Sequence, residues 1–279
     1  MVEAIGESSE SLFTVDVLGS PYEAVHAVVK NAEVADKLFW KLVSMGLMDF
    51  EKKLGKGAAG TVYKVRGEEN FAGRDLALKL FEFNASRVIG DRGLEGEILA
   101  LSLPTHPYLC KTYGVFTYDG AAIHYVEKFD PEVHAGQKIV GAVSRAIEGI
   151  TLYEKMEERS LTLEEVKGYG KQLAEAILAL HTAGVAHKDI HPENILIERG
   201  VHCVQLIDFN GADVATPQRT LKDWRRLAFL IVEMAPEDLI FDPLFYDLIY
   251  SNKHGLLNGH LPYSAEQVTH HPFWHVGSL

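Results

Sequence analysis

Cysteine is nearly missing: Cys110 and Cys203 are the only two among 279 residues. Their spacing reads neither as a zinc site nor as a disulfide framework, and so few thiols suit a reducing, cytoplasmic compartment. Long apolar runs are also missing. The longest strongly apolar stretch, Leu227–Val232, is far shorter than the roughly 20 residues of a membrane-spanning helix, so membrane insertion is not expected. Positive charge is in short supply, with 27 lysines and arginines against 39 acids and a net charge of −12. Surfaces that hold nucleic acid or anionic lipid are basic, so nucleic acid is not an expected partner. Residues 1–50 carry eight acids and three lysines, the first being Lys30, which leaves the start of the chain without the basic region of a leader peptide. The 47% of apolar residues excludes a wholly disordered chain.

What is present divides in two. Residues 1–19 are acidic and serine-rich and read as a loose tail. Ser20, Pro21 and Glu23 form a helix start, and Val25, Val28, Val29, Ala32, Leu38, Phe39, Leu42 and Val43 suggest helical segments that end near Gly46. From Met48 the text becomes strand-like, over Thr61–Val65 and Leu76–Phe81, with further strand candidates at Tyr113–Thr117, Ile123–Phe129 and Ile139–Ile147. Asp91–Leu103 reads as a helix stopped by Pro104. Over Leu163–Ala183, apolar residues recur at steps of three and four, behind the capping pair Thr162 and Glu165. Strands first and helices after imply an α+β chain, a small sheet-rich lobe joined to a mainly helical one.

Several groups could carry chemistry. Gly55, Gly57 and Gly60 make either an ordinary flexible turn or a hairpin whose bare backbone can lie over phosphates. Lys79, in an otherwise apolar strand, is either a solvated edge residue or a fixed charge over those phosphates. An anionic partner for it is available on the next helix, where Glu97 is preferred over Glu95; two residues apart, the two cannot share a helix face. The run His187-Lys188-Asp189-Ile190-His191-Pro192-Glu193-Asn194 lies between a long helix and an apolar strand. Beyond it, Asp208 ends a second apolar strand, where its oxygens could ligate a hard cation.

This ordered set resembles the protein kinase superfamily, over about residues 50–275. The resemblance implies a bilobal fold, with a partly helical extension at 1–48, a small β-rich lobe at about 49–148 and a helical lobe at about 149–276. It implies ATP as phosphoryl donor and magnesium (or manganese) as metal. Gly55, Gly57, Gly60, Val62, Ala77, Ala146 and Leu196 would contact the nucleotide, and Lys79 would hold its phosphates while paired with Glu97. Asp189 would orient the acceptor hydroxyl, with His191 beside it, and Asn194 and Asp208 would hold the metal. Asp223–Ala235 is similar to the αF helix of kinases, in which Asp223 would support the catalytic-loop backbone from below.

Four departures from that pattern stand out. Asn210 follows Asp208-Phe209 where glycine is usual, a substitution that asparagine's tolerance of left-handed backbone would permit. His191 stands in place of a lysine, and Lys188 in place of an arginine that offers a bidentate fork. Only residues 209–222 separate Asp208 from Asp223, so the activation segment is stripped down; Ala235-Pro236-Glu237, which mimics its usual end, is a coincidence after αF. The hinge falls at Val126-Glu127 or at Ser144–Ile147, the latter preferred, with Asp119–Gln137 as an insertion. The expected activity is phosphorylation of serine or threonine in a protein substrate, with an activating partner protein. The shortened segment is similar to that of bacterial effector kinases, which would make the substrate a host protein and the site of action the host cytosol. A small-molecule kinase of the choline or aminoglycoside type and a nucleotide-binding pseudokinase scaffold are the alternatives.

Overall fold

The fold, taken from a computed structural model, is described for residues 19–57, 60–83, 95–251, 255–257 and 264–275. The expected tail at 1–18, the loop tip Ala58-Ala59 and the expected helical start at 91–94 lie outside the described residues.

A sheet of six strands forms the first lobe among the described residues. Its strands are β1 (Asp49–Gly57), β2 (Gly60–Arg66), β3 (Asp75–Phe81), β4 (Thr112–Tyr118), β5 (Ile123–Val126) and β6 (Lys138–Arg145), in the order β1-β2-β3-β6-β4-β5. All neighbours pair antiparallel. Strand alternation gives the sheet two faces. Tyr63, Val65, Leu76, Leu78, Leu80, Phe116, Val140 and Val143 point outward, and they are buried beneath helices α1 (Pro21–Val29) and α2 (Ala32–Ser44).

The residue-48 boundary between extension and lobe is therefore crossed by a common core. Val25, Val28, Val29, Val34, Ala35, Leu38 and Leu42 have almost no exposure and share one cluster with the sheet. A capping box between Ser20 and Glu23 starts α1, and the Asn31 side chain caps α2. The helix signals in the sequence were local, whereas the surface these helices cover is built from strands more than 20 residues away.

On the inner face, α3 (Glu95–Leu101) packs Ile98 against Phe81, Val115, Val126, Ile139 and Ala142. The chain leaves the sheet through β6, in the middle of the sheet; Val126 ends β5 at its edge. The crossing thus runs through Ser144–Ile147, where Arg145 N–H donates to Lys111 O (2.9 Å) and Ala146 N–H to Asp75 O (3.3 Å). Between β5 and β6 lies a four-residue helix, α4 (Pro131–His134).

The second lobe opens with β7 (Gly149–Thr151) and α5 (Leu152–Glu158), followed by α6 (Leu163–Thr182), whose capping box is made by Thr162 and Glu165. Next come β8 (Val185–Ala186), β9 (Ile195–Glu198), β10 (Cys203–Leu206) and β11 (Asp213–Val214). β7, β9 and β10 form one small sheet, and β8 pairs with β11. The long α7 (Pro217–Met234) follows, then α8 (Pro243–Tyr250), α9 (Ala265–Thr269) and a 3-10 turn at Pro272–Trp274. α6 and α7 supply the centre of this core, with Leu173, Ile177, Leu180, Trp224, Leu227 and Ile231 nearly inaccessible. Cys110 and Cys203 are free thiols, and burial pushes the Cys110 thiol up to about 12. No described helix is long and apolar enough to cross a membrane.

Candidate active site

Sheet and helices meet around one ammonium group. Lys79 projects from β3 on the face opposite the α1–α2 cover, as do Val62 and Ala77. Its Nζ lies 3.1 Å from Glu97 Oε1 on α3 and 2.7 Å from Asp208 Oδ1. Burial works against the charged lysine, but Glu97 and Asp208 outweigh it and raise its pKa. Burial likewise opposes the Asp208 carboxylate, and the adjoining Lys79 charge holds it below the ordinary range. Of the two glutamates, it is the preferred Glu97 whose carboxylate reaches Lys79.

α3 is held here by an approach only glycine permits. A Cβ on Gly96 would lie 1.8 Å from Phe209 O and 2.9 Å from Ala212 N, both backbone atoms. Gly96→Ala must therefore push α3 off the Asp208–Gly211 turn and pull Glu97 from Lys79. Displacements of about 1 Å at a phosphotransfer centre can cost about 10²-fold in rate. A loss of that size in kcat/KM, with far-UV circular dichroism unchanged, is the expected result. Gly96 escaped the sequence reading because its constraint comes from a backbone more than 100 residues away.

The glycine hairpin joins β1 to β2, the strand that pairs with β3. Around a Cβ at Gly55 or Gly57 there is nothing within 4 Å, while at Gly60 it would meet Leu80 O at 1.9 Å. Gly60 thus serves the β2–β3 packing, and Gly55 and Gly57 leave a bare backbone open to a ligand. Val62, Ala77 and Ala146 are half-buried. So is Leu196, which alternates with the buried Ile195 and Ile197 and so faces away from the helical core.

The catalytic loop is positioned by α7. The fully buried carboxylate of Asp223 accepts from His187 N–H (2.8 Å), Lys188 N–H (2.7 Å) and His181 Nε2 (3.0 Å). His187, also fully buried, donates through Nε2 to Ile207 O (3.0 Å) and packs its ring 5.2 Å from that of Phe209. Burial lowers its pKa and favours the neutral ring, whose Nδ1 accepts from Asp189 N–H (3.4 Å). α7 begins at Pro217, capped by Thr216, and so takes in both Asp223 and the run Leu227–Val232. It ends before Pro236, which leaves Ala235-Pro236-Glu237 beyond the helix.

Asp189 presents a side chain that is 59% exposed. Asn194 donates through Nδ2 to Asp189 O (3.0 Å) and Asp189 Oδ2 (3.2 Å), and lies 2.7 Å from His191 Nε2. The other ring nitrogen of His191 is 2.7 Å from Glu193 Oε2. His191 is thus tied into the loop by Asn194 and Glu193. With its amide nitrogen engaged in this way, Asn194 keeps Oδ1 as its remaining donor to a cation. Together with the Asp208 carboxylate it makes a pair of hard oxygens, which fits magnesium or manganese completed by phosphate oxygens and water. Among the described residues there is no cluster of three or more His, Cys, Asp or Glu that could hold a metal alone.

Left-handed backbone occurs at Lys188 (φ 69°) and Asp208 (φ 61°) but not at Asn210. The conformational tolerance expected of Asn210 is therefore not called upon. Asn210 sits in a 3-10 turn, and its N–H donates to Asp208 Oδ1 (3.2 Å). The strain is stored at the two residues that flank the chemistry. Lys188 Nζ meets Asp213 Oδ2 at 3.1 Å, and Arg219 Nη2 meets the same oxygen at 2.8 Å. Asp213 and Arg219 were not singled out in the sequence; no short-range pattern links them to Lys188. An acid in the short segment thus joins both cations, Lys188 and Arg219.

The folded chain has the bilobal architecture of a kinase, with a lysine, a glutamate and two aspartates converging between its lobes. Residues 48–238 match the family described as "Protein kinase domain", and the chain belongs to that family. It is 34% identical to Aurora kinase A-A of Xenopus laevis over 155 residues, covering 54% of this chain and 33% of that protein. It is 31% identical to an Aurora kinase of Debaryomyces hansenii over 206 residues (70% and 44%), and 26% identical to the serine/threonine-protein kinase kin-29 of Caenorhabditis elegans over 184 residues (66% and 20%). The chain spans less than half the length of each of these relatives.

Proposed function

We propose that this chain transfers the γ-phosphoryl group of ATP to serine or threonine hydroxyls of a protein substrate. The observation that carries the reading is the Lys79–Glu97–Asp208 triplet, set beside an exposed Asp189. Lys79 supplies fixed positive charge for the phosphates, and Glu97 keeps it aimed. A divalent cation held by Asp208 and Asn194 would neutralise charge on the transferring group. Asp189 orients the acceptor hydroxyl and takes its proton as the new P–O bond forms and the bond to the β-phosphate breaks, with ADP leaving. Such transfer asks mostly for positioning and charge neutralisation, and the residues present are of the right kind.

Because Asp213 already joins Lys188 to Arg219, the segment after Asp208 is anchored without phosphorylation, and the proposal includes activity that needs no loop phosphate. A partner protein, a host protein as substrate and a cytoplasmic setting belong to the same proposal; free Cys110 and Cys203 support only the reducing compartment. A small-molecule acceptor is the second reading, favoured by the brief link 209–216 between Asp208 and α7. Purified chain and Asp208→Ala, each incubated with γ-labelled ATP in cell lysate and with a metabolite panel, decide between them. Label should enter phosphoserine or phosphothreonine with the wild-type chain only. Label confined to metabolites would sink the protein-kinase reading, and no difference between the two chains would favour the scaffold.

A further inference from the structure

One surface departs from the electrostatic habits of the rest of the chain. The first three turns of α7 contain Arg219, Lys222, Arg225 and Arg226, with no acid in the first turn. Cations are disfavoured in the first of these turns, where Arg219 sits, because the start of a helix is the positive end of its dipole. Lys222 and Arg226 are also four residues apart, where like charges face each other and repel. The nearest acid, Asp223, is fully buried and committed to the catalytic loop. Arg219 is spent on Asp213. No ion pair joins Lys222, Arg225 or Arg226 to an acid among the described residues, and Arg225 Nε is buried without a hydrogen-bond partner. Phe229, one turn beyond Arg226 on the same face, is 56% exposed.

This face starts beside the short link 209–216 that joins Asp208 to α7. It runs up to the active site: Arg219 grips Asp213, which grips Lys188, the neighbour of Asp189. We propose that the exposed face of α7, through Lys222, Arg226 and Phe229, docks an acidic segment of the protein acceptor. Carboxylates meet the two exposed cations, and one apolar side chain covers Phe229. That the docked segment is an acceptor rests on the protein-phosphorylating reading; the docking itself does not. The span from Lys222 to Phe229 is about 10 Å, the length of roughly three extended residues. This suits a short peptide motif, and the net charge of −12 opposes a long polyanion such as nucleic acid.

Fluorescence anisotropy of the full chain, without ATP, tests the docking. The probes are a labelled serine peptide rich in Asp and Glu with one leucine, its lysine-substituted counterpart, and an oligothymidylate. The acidic peptide should bind, lose affinity with added salt, and bind about five- to tenfold more weakly to the Lys222→Ala/Arg226→Ala variant, as expected for a few exposed charge pairs. The Lys222→Glu/Arg226→Glu variant should gain affinity for the lysine peptide. With ATP added, the alanine variant should raise the peptide KM by the same factor and leave kcat in place. Equal binding of both peptides, unchanged binding by the variants, or tighter binding of the oligothymidylate overturns the proposal. Selective binding of the acidic peptide without phosphate transfer supports the docking surface and refutes the phosphorylating reading instead.

Discussion

Asp189→Ala should slow phosphoryl transfer by about 10²–10⁴-fold while leaving the folded chain intact. The side chain is 59% exposed, and its only described partners are Asn194 Nδ2 at 3.2 Å and His191 Nε2 at 3.5 Å. Truncation therefore leaves no buried group stranded, because Asn194 Nδ2 keeps its bond to Asp189 O and its contact with His191. Surface changes of this kind usually alter stability by no more than about 0.5 kcal/mol. The chemical effect has a different scale, since a positioned proton acceptor contributes about 10²–10⁴-fold to rate. Single-turnover rates should fall by that factor, with the Kd for ATP and the thermal midpoint both close to wild type. Lys79, Glu97 and Asp208, which would contact the nucleotide side of the site, are untouched by the substitution. A variant that turned over ATP onto protein at the wild-type rate would remove Asp189 from the mechanism. One that lost ATP affinity as well would show that the loop had been disturbed as a whole.

The parts of this site that could be read in advance are those specified by short-range spacing. Asp189 and Asn194 are five residues apart in one loop, and their contact is a local event. Lys79 sits in an apolar strand and Glu97 on a short helix, so pairing them across the sheet needed only the resemblance and a choice between two glutamates. The helix α6 was legible for a similar reason: Thr162 and Glu165 satisfy each other's backbone partners, and the apolar stripe behind them has helical period. The hinge needed more than spacing. Val126-Glu127 and Ser144–Ile147 both follow apolar strands, and only the insertion of β6 between β3 and β4 puts the second in the path between lobes.

What was not legible depends on surfaces assembled from distant pieces. Pro217 behind Thr216 is a local helix start, although the resemblance to αF begins only at Asp223. Gly96, Asp213 and Arg219 carry no such signal: each matters through an atom of a segment that only the fold brings near. The same holds for α1 and α2. Their apolar stripes showed that they bury a face, and nothing in residues 19–48 states that the face belongs to the outer sheet. With that sheet covered, the first lobe gains a third layer, and α1 and α2 become part of the platform that holds Lys79.

The largest effect on stability is expected from Asp223→Ala. Its carboxylate is fully buried and accepts from two catalytic-loop N–H groups, at 2.8 and 2.7 Å, and from His181 at 3.0 Å. Alanine leaves those donors buried with no acceptor, and each stranded donor costs about 1–3 kcal/mol. A total near 3–5 kcal/mol follows, a large part of the about 5–15 kcal/mol that ordinarily separates folded from unfolded states. At about 2–4 °C per kcal/mol for a chain of this size, the thermal midpoint should drop by roughly 10 °C. Asp223→Asn tests the cause. It keeps the shape and one accepting oxygen but turns an amide N–H toward a backbone N–H, so it should fall between wild type and alanine. Lys188 makes the outcome sharper still: it holds a left-handed φ of 69°, and with Asp223 gone its strained backbone has lost the acceptor that fixed it. Hydrogen exchange at the amides of His187 and Lys188 should therefore accelerate in both variants, ahead of exchange in α6. If those two amides stayed protected in Asp223→Ala, the catalytic loop would be held by its own turn and α7 would be only its neighbour.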